Sequence, residues 1–277
     1  MSGLRLRLRP GLPALRVDVS DLAPRRLAGL SAEAVARLGL RLGRKPVAVG
    51  ELFDVAAGDP ERIVFEGDAA GLARLDGIGA SLDGGAIRVV GDAGMRVGAG
   101  MSAGEISIEG SVGAFAACAM SGGSLRIEGS AGDFLGAAMP GEHRGMRGGV
   151  VRIGGRVADR AGDHMRRGLI LVEGDCGDYC ASRMGGGTIA MLGACGALPG
   201  YAMRRGSLLL CGPAPSPPPT FNDCGELPLG FLALLVRGWR GVSPRFDALR
   251  RNDWSVRRWV GDLGFGGQGE LLHWPQR

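Results

Sequence analysis

From about residue 63 onward, apolar residues recur in pairs that flank a single residue, with a glycine two positions after each pair. The pairs are Ile87/Val89, Ile106/Ile108, Leu125/Ile127, Val151/Ile153, Ile170/Val172, Ile189/Met191 and Leu208/Leu210. Alternation at period two, rich in β-branched residues, predicts short half-buried strands. The closing glycines, Gly67, Gly91, Gly110, Gly129, Gly155, Gly174, Gly193 and Gly212, lie 24, 19, 19, 26, 19, 19 and 19 residues apart. Met101, Met120, Met146, Met165, Met184 and Met203 keep the same beat. The 26-residue interval carries an insertion between Met139 and Met146 that reads Pro-Gly-Glu-His-Arg-Gly.

One short strand per 19 residues cannot bury a core alone. Stacked coils can, with successive strands ~4.8 Å apart and equivalent side chains in columns. The expected fold is all-β: a right-handed parallel β-helix of about seven to eight 19-residue coils over residues 61–212. A hexapeptide left-handed helix needs coils of roughly eighteen residues in six-residue steps, and leucine-rich repeats need a Leu/Asn consensus. Neither pattern is present. The open ends of a solenoid need covers. Residues 1–60 are read as an N-terminal cap, with a strand at Leu4–Leu8 and a short helix N-capped by Ser31. Residues 213–277 are read as a Pro-linked cap or partner-contact tail. Its stretch Leu227–Trp239 reads as an apolar helix, and Trp254, Trp259 and Trp274 read as interface anchors.

Composition sharpens this picture. There are 52 glycines in 277 residues, 45% apolar residues and only 5% aromatics, which fits flat aliphatic layers and excludes a disordered or collagen-like chain. The net charge of +5 is uneven: +7 over residues 1–50, −4 over 51–212 and +2 over 213–277. A slightly acidic main body argues against a nucleic-acid partner. Met1–Pro10 has no apolar core of a signal peptide, and the longest apolar stretch, Leu227–Val236, is half of what a membrane span needs. The expected location is cytoplasmic, without membrane attachment and with reduced thiols.

Candidate chemistry is sparse. Cys176 and Cys180 are four apart and Cys195 lies one coil after Cys176, but a metal site needs three or four convergent ligands, and Cys118, Cys211 and Cys224 fall at other phases, so the cysteines read as small buried core residues. His143, in Glu142-His143-Arg144, reads as a loop residue, and His164 and His273 lack metal-ligand spacing. Gly264-Phe-Gly-Gly-Gln-Gly has dinucleotide-like glycines without the helix and strand that a real site requires, so it reads as a turn. The methionines read as core filler. No catalytic residue and no metal site are expected in this chain.

The repeats carry a resemblance. Met101-Ser-Ala-Gly-Glu-Ile-Ser-Ile-Glu-Gly, Met120-Ser-Gly-Gly-Ser-Leu-Arg-Ile-Glu-Gly, Met165-Arg-Arg-Gly-Leu-Ile-Leu-Val-Glu-Gly and Met184-Gly-Gly-Gly-Thr-Ile resemble the C subunit of formylmethanofuran dehydrogenase. More widely they resemble the C-terminal β-helix of glutamate synthase. The insertion and Pro219-Thr-Phe point to the former. The resemblance implies a non-catalytic scaffold subunit. In methylotrophic bacteria the related complex is a formyltransferase/hydrolase that moves a formyl group from tetrahydromethanopterin to a methanofuran analogue and hydrolyses it to formate. Its implied partners are an amidohydrolase-like subunit, a formyltransferase subunit and a further dehydrogenase-like subunit. In methanogens the counterpart is a molybdenum or tungsten enzyme that reduces CO2. A single lysine, Lys45, among 33 basic residues leans toward the bacterial branch. Two further readings are a glutamate synthase-like structural domain and a lone polysaccharide-cleaving β-helix, the latter poorly served by ring-poor coils.

One pattern suggests a binding role. The two positions after the repeating methionine read Arg147-Gly148, Arg166-Arg167, Gly185-Gly186 and Arg204-Arg205, with Arg144 and Arg183 nearby. Stacked coils would set these like charges about one strand spacing apart, which is unfavourable without a neutralising anion. The family's carrier is implied to have a polyglutamate tail. Arg144, Arg147, Arg166, Arg167, Arg183, Arg204 and Arg205 are therefore expected to contact either that tail or an acidic face of a partner protein. The alternative is a solvated face salted by Asp163, Glu173 and Asp175.

Overall fold

The structure is a computed structural model that describes residues 3–11, 15–43, 45–249 and 254–274. The chain is built mostly of β-strands, and its repeats stack as the periodicity requires. Strands Asp59–Glu66, Asp83–Val90, Ala103–Ile108, Ser121–Ile127, Arg147–Ile153, Arg167–Val172, Gly185–Met191 and Arg205–Leu210 pair successively in parallel. The register places equivalent residues side by side, as in Ile87↔Ile106, Leu125↔Val151 and Ile170↔Ile189. A second column of parallel bridges runs Ala93–Val112–Ala131–Val157–Cys176–Cys195. Successive coils thus meet along more than one edge, which gives the solenoid-like form.

The apolar pairs and the repeating methionines face inward. Met101, Met120, Met146, Met165, Met184 and Met203 are all fully buried, as are Ile153, Ile170 and Ile189. Each buried aliphatic side chain of this size contributes about 1.5–3 kcal/mol. The coils pass so close at one corner that only glycine fits: at Gly187, with φ +100°, a Cβ would lie 2.8 Å from Met165 Cε and 3.1 Å from the Gly168 carbonyl oxygen.

Both ends of the stack are closed by strands that reverse direction. At the N-terminal end Gly3–Leu8 pairs in parallel with Asp59–Glu66 and antiparallel with Phe53–Ala56. A four-stranded sheet of Val17–Asp18, Gly39–Leu42, Lys45–Ala48 and Leu75–Asp76 accompanies it. Ser31 Oγ accepts from Ala34 N–H at 3.2 Å, capping the helix Ala32–Ala36. At the other end Gly269–His273 adds in parallel to Arg205–Leu210, and Ser255–Gly261 and Asn222–Pro228 follow antiparallel.

The C-terminal segment differs from its expected form. The stretch expected as one helix from Leu227 to Trp239 is the end of strand Asn222–Pro228 followed by the helix Phe231–Arg237. Trp274, expected as an interface anchor, is 1% exposed inside the chain, and Trp239 is 2% exposed. With Leu232, Phe246 and Val256 they cover the outer face of the last coils, on Leu171, Ala190, Leu209 and Leu272. The cause is local. The residue between the two inward apolar positions is Arg88, Ser107, Arg126 or Arg152 in the earlier coils, and Leu171, Ala190 or Leu209 in the later ones. Those later strands are apolar on both faces, so their outer face needs a cover.

This packing generates a prediction. Leu209→Asp places an unpaired carboxylate under the cover. The C-terminal segment should then detach, and limited proteolysis between residues 213 and 249 should quicken by about ten-fold, while far-ultraviolet circular dichroism of the parallel stack persists.

Candidate functional site

The residue after each inward methionine is at least partly exposed at one corner of the coil, and the residue before it is partly exposed at Ala119, His164 and Arg183. Unlike Gly145 before Met146, the position before the methionine is left-handed at Ala119, His164 and Arg183, with φ of 53°, 59° and 51°. Its N–H bonds to the following coil: His164 N–H donates to the Ser182 carbonyl at 3.1 Å and Arg183 N–H to that of Tyr201 at 2.7 Å. These inter-coil bonds hold non-glycine residues in a region that is otherwise costly. The position after the methionine is Ser102, Ser121, Arg147, Arg166, Gly185 and Arg204 in successive coils. The corner therefore changes from small residues to arginines along its length.

The stack brings the arginines into a row, with one change in pairing. The register sets Arg147 opposite Arg167, and both Arg166 N–H and Arg167 N–H donate to the Met146 carbonyl, at 2.8 and 3.3 Å. Gly185 pairs with Arg205, and a Cβ at Gly185 would overlap the Arg166 guanidinium. Glycine in that coil gives Arg166 room to lie along the row. Arg144, Arg147, Arg166, Arg167, Arg204 and Arg205 are exposed, and among the described residues none has a carboxylate within 4.0 Å. The insertion folds beside them: Arg166 Nη2 donates to the His143 carbonyl at 3.2 Å, and the His143 and His164 rings lie 6.4 Å apart.

Arg183 stands apart from the row. Its Nε and Nη2 donate to Asp163 Oδ1 and Oδ2 at 2.9 and 2.8 Å. Ser182 Oγ donates to the same carboxylate at 2.7 Å, and His164 Nδ1 is 3.3 Å from it. Asp163 is 5% exposed, so this fork fixes the guanidinium while the Arg183 side chain stays 41% exposed.

The carboxylates that could have salted the row are engaged elsewhere. Asp163 holds Arg183. Asp175 Oδ1 accepts from Ala194 N–H at 2.7 Å. Glu173 is buried under the C-terminal segment, where Arg152 Nε and Ser243 Oγ each donate to Oε1 at 2.7 Å. Burial opposes ionisation of Glu173, but hydrogen bonds from Arg152 and Ser243 and the charges of Arg152 and Arg245 outweigh it. Its carboxyl is held below the ordinary range.

A groove of about 580 Å³ lies over the earlier coils. Its floor includes Ala80, Ser81, Ala99, Gly100 and Ala119, and Met139 at the foot of the insertion closes one side. The N-terminal segment forms the other wall, where Arg96 pairs with Asp18 at 2.9 Å, Arg25 with Asp83 at 2.6 Å, and Arg26 with Asp21. The repeat spacing carries no sign of this groove, because its wall comes from a segment outside the repeats.

Three of the six cysteines, Cys176, Cys180 and Cys195, lie together at the edge of the core. The backbones of Cys176 and Cys195 pair in a parallel β-bridge, and the free thiols of both hydrogen-bond with Cys180. Thiol–thiol hydrogen bonding and burial push Cys180 and Cys195 well above the ordinary thiol range, and burial pushes Cys118 up to about 12. Thiols held this way are poor nucleophiles and poor metal ligands. Among the described residues no cluster of His, Cys, Asp and Glu could hold a metal ion. No helix among them is long and apolar enough to cross a membrane.

Stacked coils with closed ends and a corner lined by arginines define a solenoid-like β protein with one strongly basic edge. No protein-family model matches the chain. A curated relative, the C subunit of the formyltransferase/hydrolase complex Fhc of Methylorubrum extorquens, is 41% identical over 92 residues. That alignment spans only a third of the length of either protein. The likeness in three dimensions runs the full length. A chain in the X-ray structure of the Methylorubrum extorquens FhcABCD complex, determined with methylofuran, matches with a TM-score of 0.90 and 39% identity, covering 99% of this chain and 100% of that one. The chain belongs to the family of the C subunits of formyltransferase/hydrolase complexes.

The buried Glu173 generates a pH prediction. Its folded pKa is depressed, so its stabilisation is complete above the ordinary carboxylate value and is lost as pH falls through the folded value. Glu173→Gln should cost about 2 kcal/mol or more at pH 7 in denaturant unfolding. The difference between variant and parent should shrink steadily below about pH 4.5.

Proposed function

We propose that this chain is the scaffold subunit of a formyltransferase/hydrolase complex in one-carbon metabolism. The observation that carries the reading is the full-length match, at 39% identity, to a chain of the FhcABCD complex. The activity of the whole would be transfer of a formyl group from tetrahydromethanopterin to a methanofuran analogue, and its hydrolysis to formate. The partners would be an amidohydrolase-like subunit, a formyltransferase subunit and a dehydrogenase-like subunit, in the cytoplasm. This chain contributes no catalytic group in that reading. Residues 61–212 are read as a right-handed helix of seven to eight coils, with residues 1–60 and 213–277 as its covers.

The arginine corner gives the scaffold its own role. Arg147, Arg166, Arg167, Arg204 and Arg205 form a row of like charges whose nearby carboxylates are bound elsewhere. Arg144 extends it from the insertion, and Arg183 marks its edge in a position fixed by Asp163. A chain of carboxylates laid along the row would neutralise guanidinium groups one coil apart from Arg147 to Arg166 and two coils apart from Arg167 to Arg205, across the Gly185 coil. The polyglutamate tail implied for the family's carrier has that chemistry, and methylofuran is the molecule found with the related complex. The rigid wall would keep two catalytic sites at a fixed separation while the tethered formyl group travels between them.

The test is a native purification through a tag on this chain. The parent should bring down an amidohydrolase-like zinc protein and a formyltransferase, free of molybdenum and tungsten. The variant Arg166→Ala/Arg167→Ala/Arg204→Ala/Arg205→Ala should keep its melting temperature and lose affinity for the glutamylated carrier, or for one partner, by ten-fold or more, since ion pairs of this type contribute roughly 1–3 kcal/mol each. Unchanged carrier affinity together with unchanged assembly would remove the role of the row. Molybdenum or tungsten with iron–sulfur partners would replace the hydrolytic reading by the CO2-reducing one.

A further inference from the structure

A second corner of the coils carries a stack of aromatic side chains that a single arginine continues. It lies on the left-handed positions Phe115, Phe134, Arg160 and Tyr179, with φ between 57° and 63°. Phe115 and Phe134 stack in parallel, with ring centroids 4.9 Å apart at an interplanar angle of 2°. The Arg160 guanidinium lies 5.9 Å from the Phe134 ring and 4.7 Å from that of Tyr179. Tyr179 meets Tyr201 edge-on at 5.9 Å, and Tyr201 meets Phe265 at 5.6 Å. The stack spans about five coil spacings, roughly 24 Å. These rings belong to a chain with only 5% aromatics, and the stack does not enter the core.

A column of three carboxylates runs beside the middle of the stack: Asp133, Asp159 and Asp178 directly precede Phe134, Arg160 and Tyr179. Asp133 Oδ1 accepts from Asp159 N–H at 3.0 Å, Asp159 Oδ1 from Asp178 N–H at 2.9 Å, and Asp178 Oδ1 from Ala197 N–H at 2.7 Å. Each carboxylate is exposed, has one oxygen tied to the next coil, and has no cation within 4.0 Å among the described residues. Arg160, next to Asp159 in the sequence, is held by rings and not by these carboxylates.

The end of the stack is apolar, exposed and rigid. Leu198 and Tyr201 are each 40% exposed, Phe265 is 52% and Leu263 is 58%. The turn that presents Leu263 and Phe265 is clamped by the buried Asp262, which accepts from Ala202 N–H at 3.0 Å and from Gly264 N–H at 3.1 Å. A fixed, exposed apolar patch of this kind marks an interaction surface.

We propose that this aromatic–carboxylate corner docks a partner protein through arginine side chains of that partner. The three exposed carboxylates give the corner negative charge that suits a cationic partner, and Arg160 shows the mode within the chain itself: a guanidinium between two rings, with carboxylates alongside. An incoming arginine would stack on Tyr201 or Phe265 and pair with the free oxygen of Asp178 or Asp159. The proposal is independent of the arginine row, which presents positive charge at the other corner. It rests on the reading of the chain as a subunit.

The test places a photo-cross-linking amino acid at Leu198 in the full chain, expressed with its partner subunits. The cross-link should join a partner segment that contains arginine. Tyr201→Ser/Phe265→Ser should weaken assembly by at least about ten-fold, and Phe265→Ser alone should weaken it with the melting temperature of the free chain unchanged. Asp133→Asn/Asp159→Asn/Asp178→Asn should flatten the salt dependence of assembly. A cross-link to a second copy of this chain, a cross-link to an arginine-free segment, or unchanged assembly of both aromatic variants would overturn the proposal. Loss of carrier binding in the row variant with this docking intact would leave it standing.

Discussion

Everything in this molecule depends on backbone hydrogen bonds between one coil and the next, at an offset of 19 residues in most coils. Once Ile170 pairs with Ile189, every other residue of the two coils is placed, because both backbones follow the same path. Side chains then sit in columns, and a column accepts only residues that tolerate their own kind ~4.8 Å away. Methionine and isoleucine tolerate it through packing. Glycine at Gly187 is required where the next backbone would meet a Cβ. Aspartate tolerates it by giving one oxygen to the next coil's N–H, as Asp159 does for Asp178. Aromatic rings tolerate it by stacking.

Arginine is the residue that the column rule does not accommodate alone. Where the protein stacks charge for stability, it interleaves the signs: Arg152 lies between Glu128 and Glu173, at 2.5 and 2.7 Å. The row from Arg147 to Arg205 has no such interleaving. The same fold therefore shows two treatments of arginine, one closed on itself and one left open. The outward surfaces are also sorted by chemistry. One corner is basic, one is aromatic and acidic, and the outer face of the last coils is covered by the chain's own C-terminal segment. Surfaces sorted this way are what the proposed scaffold role requires.

Much of this is legible in the residues because the repeat is strict. The strands, the inward methionines and the closing glycines follow from spacing alone. The tail has no repeat to guide it. Its helix is shorter than the apolar run from Leu227 to Trp239, since Pro228 and Gly230 interrupt it. Trp274 turns inward because the last coils present an apolar outer face, and the sequence signal for that is the change from Arg126 and Arg152 to Leu171, Ala190 and Leu209 at one repeat position. The pairing of Arg183 with Asp163 is not legible, because it joins residues one coil apart that point around a left-handed corner. Non-glycine residues rarely adopt that corner, and inter-coil bonds are what hold Tyr179 and His164 in it.

The proposed occupant of the open arginine row is a set of carboxylates that this chain does not supply. The most direct measurement is a structure of the complex taken from cells with its carrier bound. The account predicts carboxylate oxygens within about 3 Å of the guanidinium groups of Arg147, Arg166 and Arg204, from the carrier's tail or from a partner's acidic face. A row that faces bulk solvent in the assembled complex, with the carrier held elsewhere, would contradict it.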